Sequence, residues 1–305
     1  MKKIILITIS LCFFLNVNAQ RKKSQQYDLK SSQLSGLKFR SVGPAFMSGR
    51  IADIAINPEN ENEWYVAVGS GGVWKTSNSG TTWTPIADDQ PFYSTGSITI
   101  DPHNSSKIWL GTGENVGGRH VGIGHGVYMS ENGGKKWKDM GLKSSEHISK
   151  IIVSPNDPNL VFVASQGPLW SPGGDRGLFR STNGGEDWEN VLSVNEWTGV
   201  TDIVIDHNNP TTLYAATWQR HRNVAAYMGG GPGTSIYKSV DNGKTWIEIK
   251  NGLPDSNLGK IGLAISPFDS SILYAAVETD RRNGGVYKST NSGGSWKKMS
   301  DTDRK

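Results

Sequence analysis

The sequence predicts an all-β fold, a β-propeller of four-stranded antiparallel blades, and three observations carry that expectation. Trp83, Trp137, Trp188, Trp246 and Trp296 follow one another at intervals of 54, 51, 58 and 50 residues. Periods near 50 mark propellers or solenoids. Each Trp is preceded by Gly three positions earlier, Asn or Asp five earlier, and Ser or Thr seven earlier, as in Ser239-Val240-Asp241-Asn242-Gly243-Lys244-Thr245-Trp246. Around each such turn lie short runs rich in β-branched and aromatic residues, the composition of strands.

The unit is read strand by strand. Its first strand is Ile51 to Ile56, Ser97 to Ile100, Ile151 to Val153, Val200 to Ile205 and Ile261 to Ile265, stopped by pairs such as Asn57-Pro58, Asp101-Pro102, Ser154-Pro155 and Ser266-Pro267. The second is Trp64 to Val68, Ile108 to Leu110, Val161 to Ala164, Leu213 to Ala216 and Leu273 to Val277. The third ends in Val73-Trp74-Lys75 and its counterparts, and the fourth carries the Trp. In the turn between them the Asn or Asp side chain (Asn78, Asn132, Asn183, Asp241, Asn291) bonds backbone N–H groups, the Gly takes positive φ and the Trp caps the turn. A four-stranded meander cannot bury both faces alone, and radial stacking solves that. Five units over residues 37–305 suggest part of a larger propeller, whose open edge would leave a blade face exposed and limit solubility.

Ahead of the repeats, Lys2 and Lys3 precede an apolar run from Ile4 to Leu15 and the small-residue end Val17-Asn18-Ala19. This pattern is a secretory signal peptide over residues 1–19, cleaved before Gln20, so the protein is expected to be secreted or periplasmic. No later stretch reaches the roughly 20 apolar residues of a spanning helix. Residues 20–36 are polar, without apolar period, and read as a flexible leader. Cys12, the one cysteine, lies in the signal, so no disulfide or Cys-ligated metal is expected afterwards. The formal net charge of +4 is spread over interspersed acids and bases. That is no nucleic-acid footprint.

Antiparallel alternation puts the Asp- or Asn-bearing turns on one side of the disc and the loops between strands two and three on the other. Those loops vary in length, as functional loops on a rigid scaffold do. They hold Glu114, Arg119 and His120 in blade two, Trp170, Asp175 and Arg176 in blade three, and Trp218, Arg220, His221 and Arg222 in blade four. Aromatic faces with Arg donors suit a glycan, peptide or protein ligand; paired with neighbouring acids, the same arginines have a plain structural use. Gly113 to Gly122 joins two strands, whereas a phosphate-binding glycine loop opens a helix, so nucleotide binding is not expected. His120, His125, His147 and His221 lack metal-ligand spacing, and neither a metal nor another cofactor is implied. Hydrolysis of a glycoside needs two carboxylates, for which Glu114 and Asp175 are named first among Glu114, Glu146, Asp175 and Glu196.

The Ser-x-Asp-x-Gly-x-Thr-Trp pattern of Ser239 to Trp246, with its four degenerate copies, resembles the Asp box of the sialidase and BNR-repeat families. The spacing and long loops look more closely like secreted bacterial proteins with a sortilin-type N-terminal propeller, often labelled glycosyl hydrolases. That resemblance implies a complete protein running beyond Lys305 and an Asp box without catalytic role. Phe39-Arg40-Ser41-Val42-Gly43-Pro44 resembles the Phe-Arg-Ile-Pro start of sialidases. Propeller xyloglucanases are similar too, and keep an acid in the Arg-Thr-Asp step after the second strand of an early blade; here the step reads Val68-Gly69-Ser70-Gly71. A propeller that assists assembly of photosystem II shares the repeat but not the long loops. The leading expectation is a non-catalytic binding or scaffold propeller, with a glycoside hydrolase acting on extracellular polysaccharide as the alternative.

Overall fold

Side chains alternate across a strand, and each repeat supplies apolar residues to both faces, so every sheet needs a neighbour on each side. A computed structural model, which describes Gly36 and residues 50–279 and 283–300, has five sequential antiparallel sheets of four strands within a unit spanning Ser48–Lys305. The expected signal peptide, the expected leader up to residue 35 and the segment Phe39 to Pro44 lie outside the described residues. Blade 1 is β1 (Ile51–Ile56), β2 (Trp64–Val68), β3 (Gly72–Thr76) and β4 (Thr84–Pro85). Blade 2 is β5 (Thr95–Asp101), β6 (Asn104–Thr112), β7 (Val127–Ser130) and β8 (Lys138–Asp139). Blade 3 is β9 (Ile148–Ser154), β10 (Asp157–Ser165), β11 (Gly177–Ser181) and β12 (Glu189–Leu192). Blade 4 is β13 (Thr198–Ile205), β14 (Leu213–Gln219), β17 (Ile236–Ser239) and β18 (Ile247–Glu248), with a small hairpin, β15 (His221–Arg222) and β16 (Tyr227–Met228), inserted after β14. Blade 5 is β19 (Leu258–Ile265), β20 (Leu273–Thr279), β21 (Gly285–Ser289) and β22 (Lys297–Lys298).

The strands of blades 2 and 3 run longer than their apolar cores. Asp101 and Ser154, expected to stop the first strand, instead pair with Asn104 and Asp157 across two-residue turns. The Asp101 carboxylate accepts from the His103 N–H, which closes the turn and lets the ladder continue.

Each of the five repeat turns is closed by the same short bonds. The Ser or Thr hydroxyl accepts from the N–H of the Gly four residues on, as at Ser181 and Gly185, 2.8 Å. The Asn or Asp oxygen accepts from the N–H four residues on, as at Asn183 and Asp187, 3.0 Å. The five glycines have φ of 85, 86, 87, 73 and 85° at Gly80, Gly134, Gly185, Gly243 and Gly293, the left-handed region that favours glycine. Three of the tryptophans also reach outside their own blade. Trp137 Nε1 donates to Ile86 O, Trp188 to Met140 O and Trp296 to Ile249 O, each the carbonyl of a residue in or beside the last strand of the preceding blade. Trp246 donates to Gly243 O within its own turn, and Trp83 in blade 1 packs edge-on against Trp64.

Between blades the core is a series of apolar layers. Blades 1 and 2 share Tyr65, Ala67, Phe92, Ile98, Ile108 and Leu110; blades 2 and 3 share Trp109, Met129, Ile148, Ile151 and Phe179. Equivalent layers join blades 3 to 4 and 4 to 5. Successive first strands meet without a ladder and are stapled by side chains: Asp53 accepts from Ile98 N, Thr99 donates to Ile151 O, Ser149 to Val200 O, and Asp202 accepts from Leu263 N. The face of blade 1 turned away from blade 2 leaves Ile51, Ile54 and Ile56 more than half exposed.

Candidate functional site

On the side opposite the repeat turns, the loop after β6 reaches the inner ends of blades 3, 4 and 5. Its backbone carbonyls are gripped in sequence: Asn115 O accepts from Gln166 Nε2 and Lys260 Nζ, Val116 O from Arg220 Nη1, and Gly117 O from Arg222 Nη2. The loop can enter because Gly113 takes φ 85°, and a Cβ there would stand 1.7 Å from Glu146 O. This places Arg220 inside the protein, fully buried, although it was expected as a ligand contact. Arg176, also buried, donates to the carbonyls of Gln166, Pro168, Ser171, Gly173 and Trp197 and so closes its own loop. Trp218 is buried as well, its indole N–H on Gly229 O and its ring facing Arg220 and Lys260. These three side chains turn inward because a backbone that crosses the interior needs buried donors for its carbonyls.

Burial governs the electrostatics. It lowers Arg176 to about 10 and Arg220 to about 9, and it lowers Lys260 to about 8 with Arg220 adding repulsion. His147 is pushed down to about 3 by burial, then by Arg220. Glu146 Oε2 stands 3.9 Å from His147 Nε2, but with a neutral imidazole the contact is no ion pair.

The remaining expected residues divide by exposure. Arg119, His120 and Trp170 are exposed; His221 and Arg222 are half-buried, His221 against the ring of Trp197 at 4.6 Å and Arg222 over Tyr227 at 4.5 Å. Arg222 N bonds Leu169 O, so exposed Trp170 and Tyr227 flank one strip across blades 3 and 4. Glu114 is buried, 2% exposed, and its partner is Arg50 rather than Arg119: Oε1 accepts from Arg50 Nε at 2.8 Å and Oε2 from Gly122 N at 2.7 Å. Asp175 accepts from Ser144 N and braces the loop into blade 3. No three His, Cys, Asp or Glu gather as metal ligands among the described residues.

Sequence reasoning missed a second feature. A cavity of about 270 Å³ lies among the first strands, lined by Asp53, Lys150, Asp202 and Lys260 with Asn115, Ser149, Thr201 and Gly262. Each charged residue interrupts a first strand that otherwise reads apolar or small, which is the one signal that pointed there.

No family model matches the chain. It is 26% identical over 236 residues to a xyloglucanase of Hypocrea jecorina, covering 67% of this chain and 26% of that protein. It is 24% identical over 289 residues to a xyloglucanase of Acetivibrio thermocellus, covering 84% of this chain and 31% of that one. Among solved structures, an ancestral GH74 enzyme matches with TM-score 0.63 at 25% identity, over 82% of this chain and 31% of that chain. YCF48 bound to D1 peptide matches at TM-score 0.51 and 17% identity, over 84% and 69% of the two chains, a likeness of fold alone. The chain thus spans 26% and 31% of the two curated relatives. These likenesses to xyloglucanases overturn the leading expectation of a non-catalytic scaffold; the alternative, a glycoside hydrolase, fits them better.

Proposed function

We propose that this chain is part of a glycoside hydrolase acting on an extracellular polysaccharide. The likeness to xyloglucanases along 84% of the chain carries the reading. The Asp-box turns and long loops keep their resemblance to sortilin-type propellers, and in this reading they build the scaffold for the site.

Where propeller xyloglucanases keep an acid, this chain has Val68-Gly69-Ser70-Gly71. Glu114 reaches that step from blade 2: its Oε1 lies 2.5 Å from where a Cβ on Gly69 would stand. The carboxylate therefore occupies space that a side chain at 69 would enter, and we assign it the role of the acid missing from the step. At the Gly71 end of the same step a groove of about 360 Å³ is lined by Gly71, Gly72, Asp88, Phe92 and Tyr93. Tyr93 is 67% exposed and offers a ring on which a sugar stacks. On that groove we assign exposed Asp88 as the second carboxylate that glycosidase chemistry requires.

The test is release of reducing ends from xyloglucan and a panel of other β-glucans by the purified chain. Glu114→Gln is expected to lower turnover about 10²- to 10⁴-fold, the usual contribution of a positioned acid, and Asp175→Asn to leave it within about twofold. Turnover that survives Glu114→Gln would sink the assignment; no turnover on any polysaccharide by the full-length protein that contains this chain would sink the function.

A further inference from the structure

The cavity among the first strands carries an inference independent of the hydrolase reading. Its charged groups come from four blades: Asp53 on β1, Lys150 on β9, Asp202 on β13 and Lys260 on β19. Burial raises the Asp202 carboxyl above its ordinary range, and Lys150 and Lys260 each pull it back down. Yet no ion pair within 4.0 Å joins any of these four among the described residues, so opposite charges face one another across open space.

Their hydrogen-bond capacity is only partly used. Among the described residues the Lys150 ammonium makes no hydrogen bond and the Lys260 ammonium makes one, to Asn115 O at 2.6 Å, leaving ammonium N–H groups spare. Asp53 accepts from Ile54 N, Ser97 Oγ and Ile98 N, and Asp202 from Ile203 N and Leu263 N. A carboxylate has about four acceptor sites, so each retains capacity. Among the described residues Asn115 Oδ1 accepts no hydrogen bond. Donors and acceptors thus alternate around one small volume.

The formal charges of the lining sum to zero, which removes any net attraction for an anion or a cation. A hydroxyl uses both kinds of group at once, donating to a carboxylate and accepting from an ammonium. A volume of about 270 Å³ lies just under the usual range of ligand pockets and suits one ring rather than a chain. We propose that this cavity is a binding site for a single neutral, hydroxyl-rich ring, a monosaccharide unit, held between the ammonium groups of Lys150 and Lys260 and the carboxylates of Asp53 and Asp202.

The experiment is titration of the purified chain with methyl β-glucopyranoside, followed by saturation-transfer NMR and calorimetry, with methyl β-glucuronoside and alanine as charged and zwitterionic comparisons. Saturable binding on the order of millimolar is expected for the neutral glycoside, weakened at least about tenfold by Lys150→Met, which costs the fold no hydrogen bond. Gly262→Val should abolish it by filling the space: a Cβ there meets nothing closer than Asp202 Oδ2 at 3.9 Å. Tighter binding of the glucuronoside or of alanine overturns the neutral-ring assignment. Absence of saturable binding, or binding that both variants leave unchanged, overturns the site. None of these outcomes depends on Glu114, so the hydrolase reading stands or falls separately.

Discussion

Trp296 and Trp83 hold the same place in the repeat, but among the described residues only Trp296 has a blade ahead of it. Trp296 is 5% exposed, donates Nε1–H to Ile249 O at 2.9 Å, and packs with Tyr214, Leu253, Ile261, Leu273 and Tyr287 between blades 4 and 5. Trp296→Ala removes a buried indole and leaves a cavity, a loss of about 3–5 kcal/mol. Trp83 is 38% exposed and rests edge-on against Trp64, so Trp83→Ala should cost under about 1.5 kcal/mol. Trp296→Phe keeps most of the ring and loses the donor, about 1 kcal/mol. In a repeat array stability is a sum of blade and interface contributions, so the loss should be local. Native-state hydrogen exchange reads it: Trp296→Ala should lower protection of β19, β20 and β21 by roughly 10²- to 5 × 10³-fold, while β9 and β10 keep theirs. An equal loss in all blades, or equal effects of Trp296→Ala and Trp83→Ala, would refute the idea that the Trp acts as a bolt to the preceding blade.

Two pH effects follow from buried bases. His147 titrates at about 3 in the fold and near 6.5 when unfolded, so the unfolded state binds the extra proton between those values and stability falls as pH drops through that window, by up to about 1.4 kcal/mol per pH unit. His147→Gln should flatten the acid limb of urea midpoints against pH; an unchanged slope would exclude this source. Lys260 titrates at about 8 in the fold against about 10.5 unfolded, so its contribution to stability rises with pH between those values. Midpoints measured at about pH 7.5 and 9.5 should show that gain in the wild-type chain and lose it in Lys260→Met, and equal changes in both would count against a buried charged lysine.

The repeat was legible in the sequence because its chemistry is local. Ser181, Asn183 and Gly185 close their turn within a few residues, and any chain with that spacing makes the same bonds. Strand order followed, since short connections leave little choice but a meander. Strand ends were less legible: Asp101 and Ser154 read as stops, and only the pairing across two-residue turns keeps them in the ladder. The candidate site was hardly legible at all. Arg220 and Val116 are 104 residues apart, and Lys260 and Asn115 are 145 apart. Nothing in either local sequence marks the guanidinium as a donor to a crossing backbone rather than a ligand contact. Lys150 and Asp202 read as ordinary polar positions in strands, because alternation tells which face a side chain takes but not what it meets there. By itself the sequence determined what recurs every 50 to 58 residues, since periodic local bonds require periodic sequence. Only the tertiary structure decided which charges share a cavity, since that depends on the convergence of first strands from four blades, and no interval along the chain encodes it.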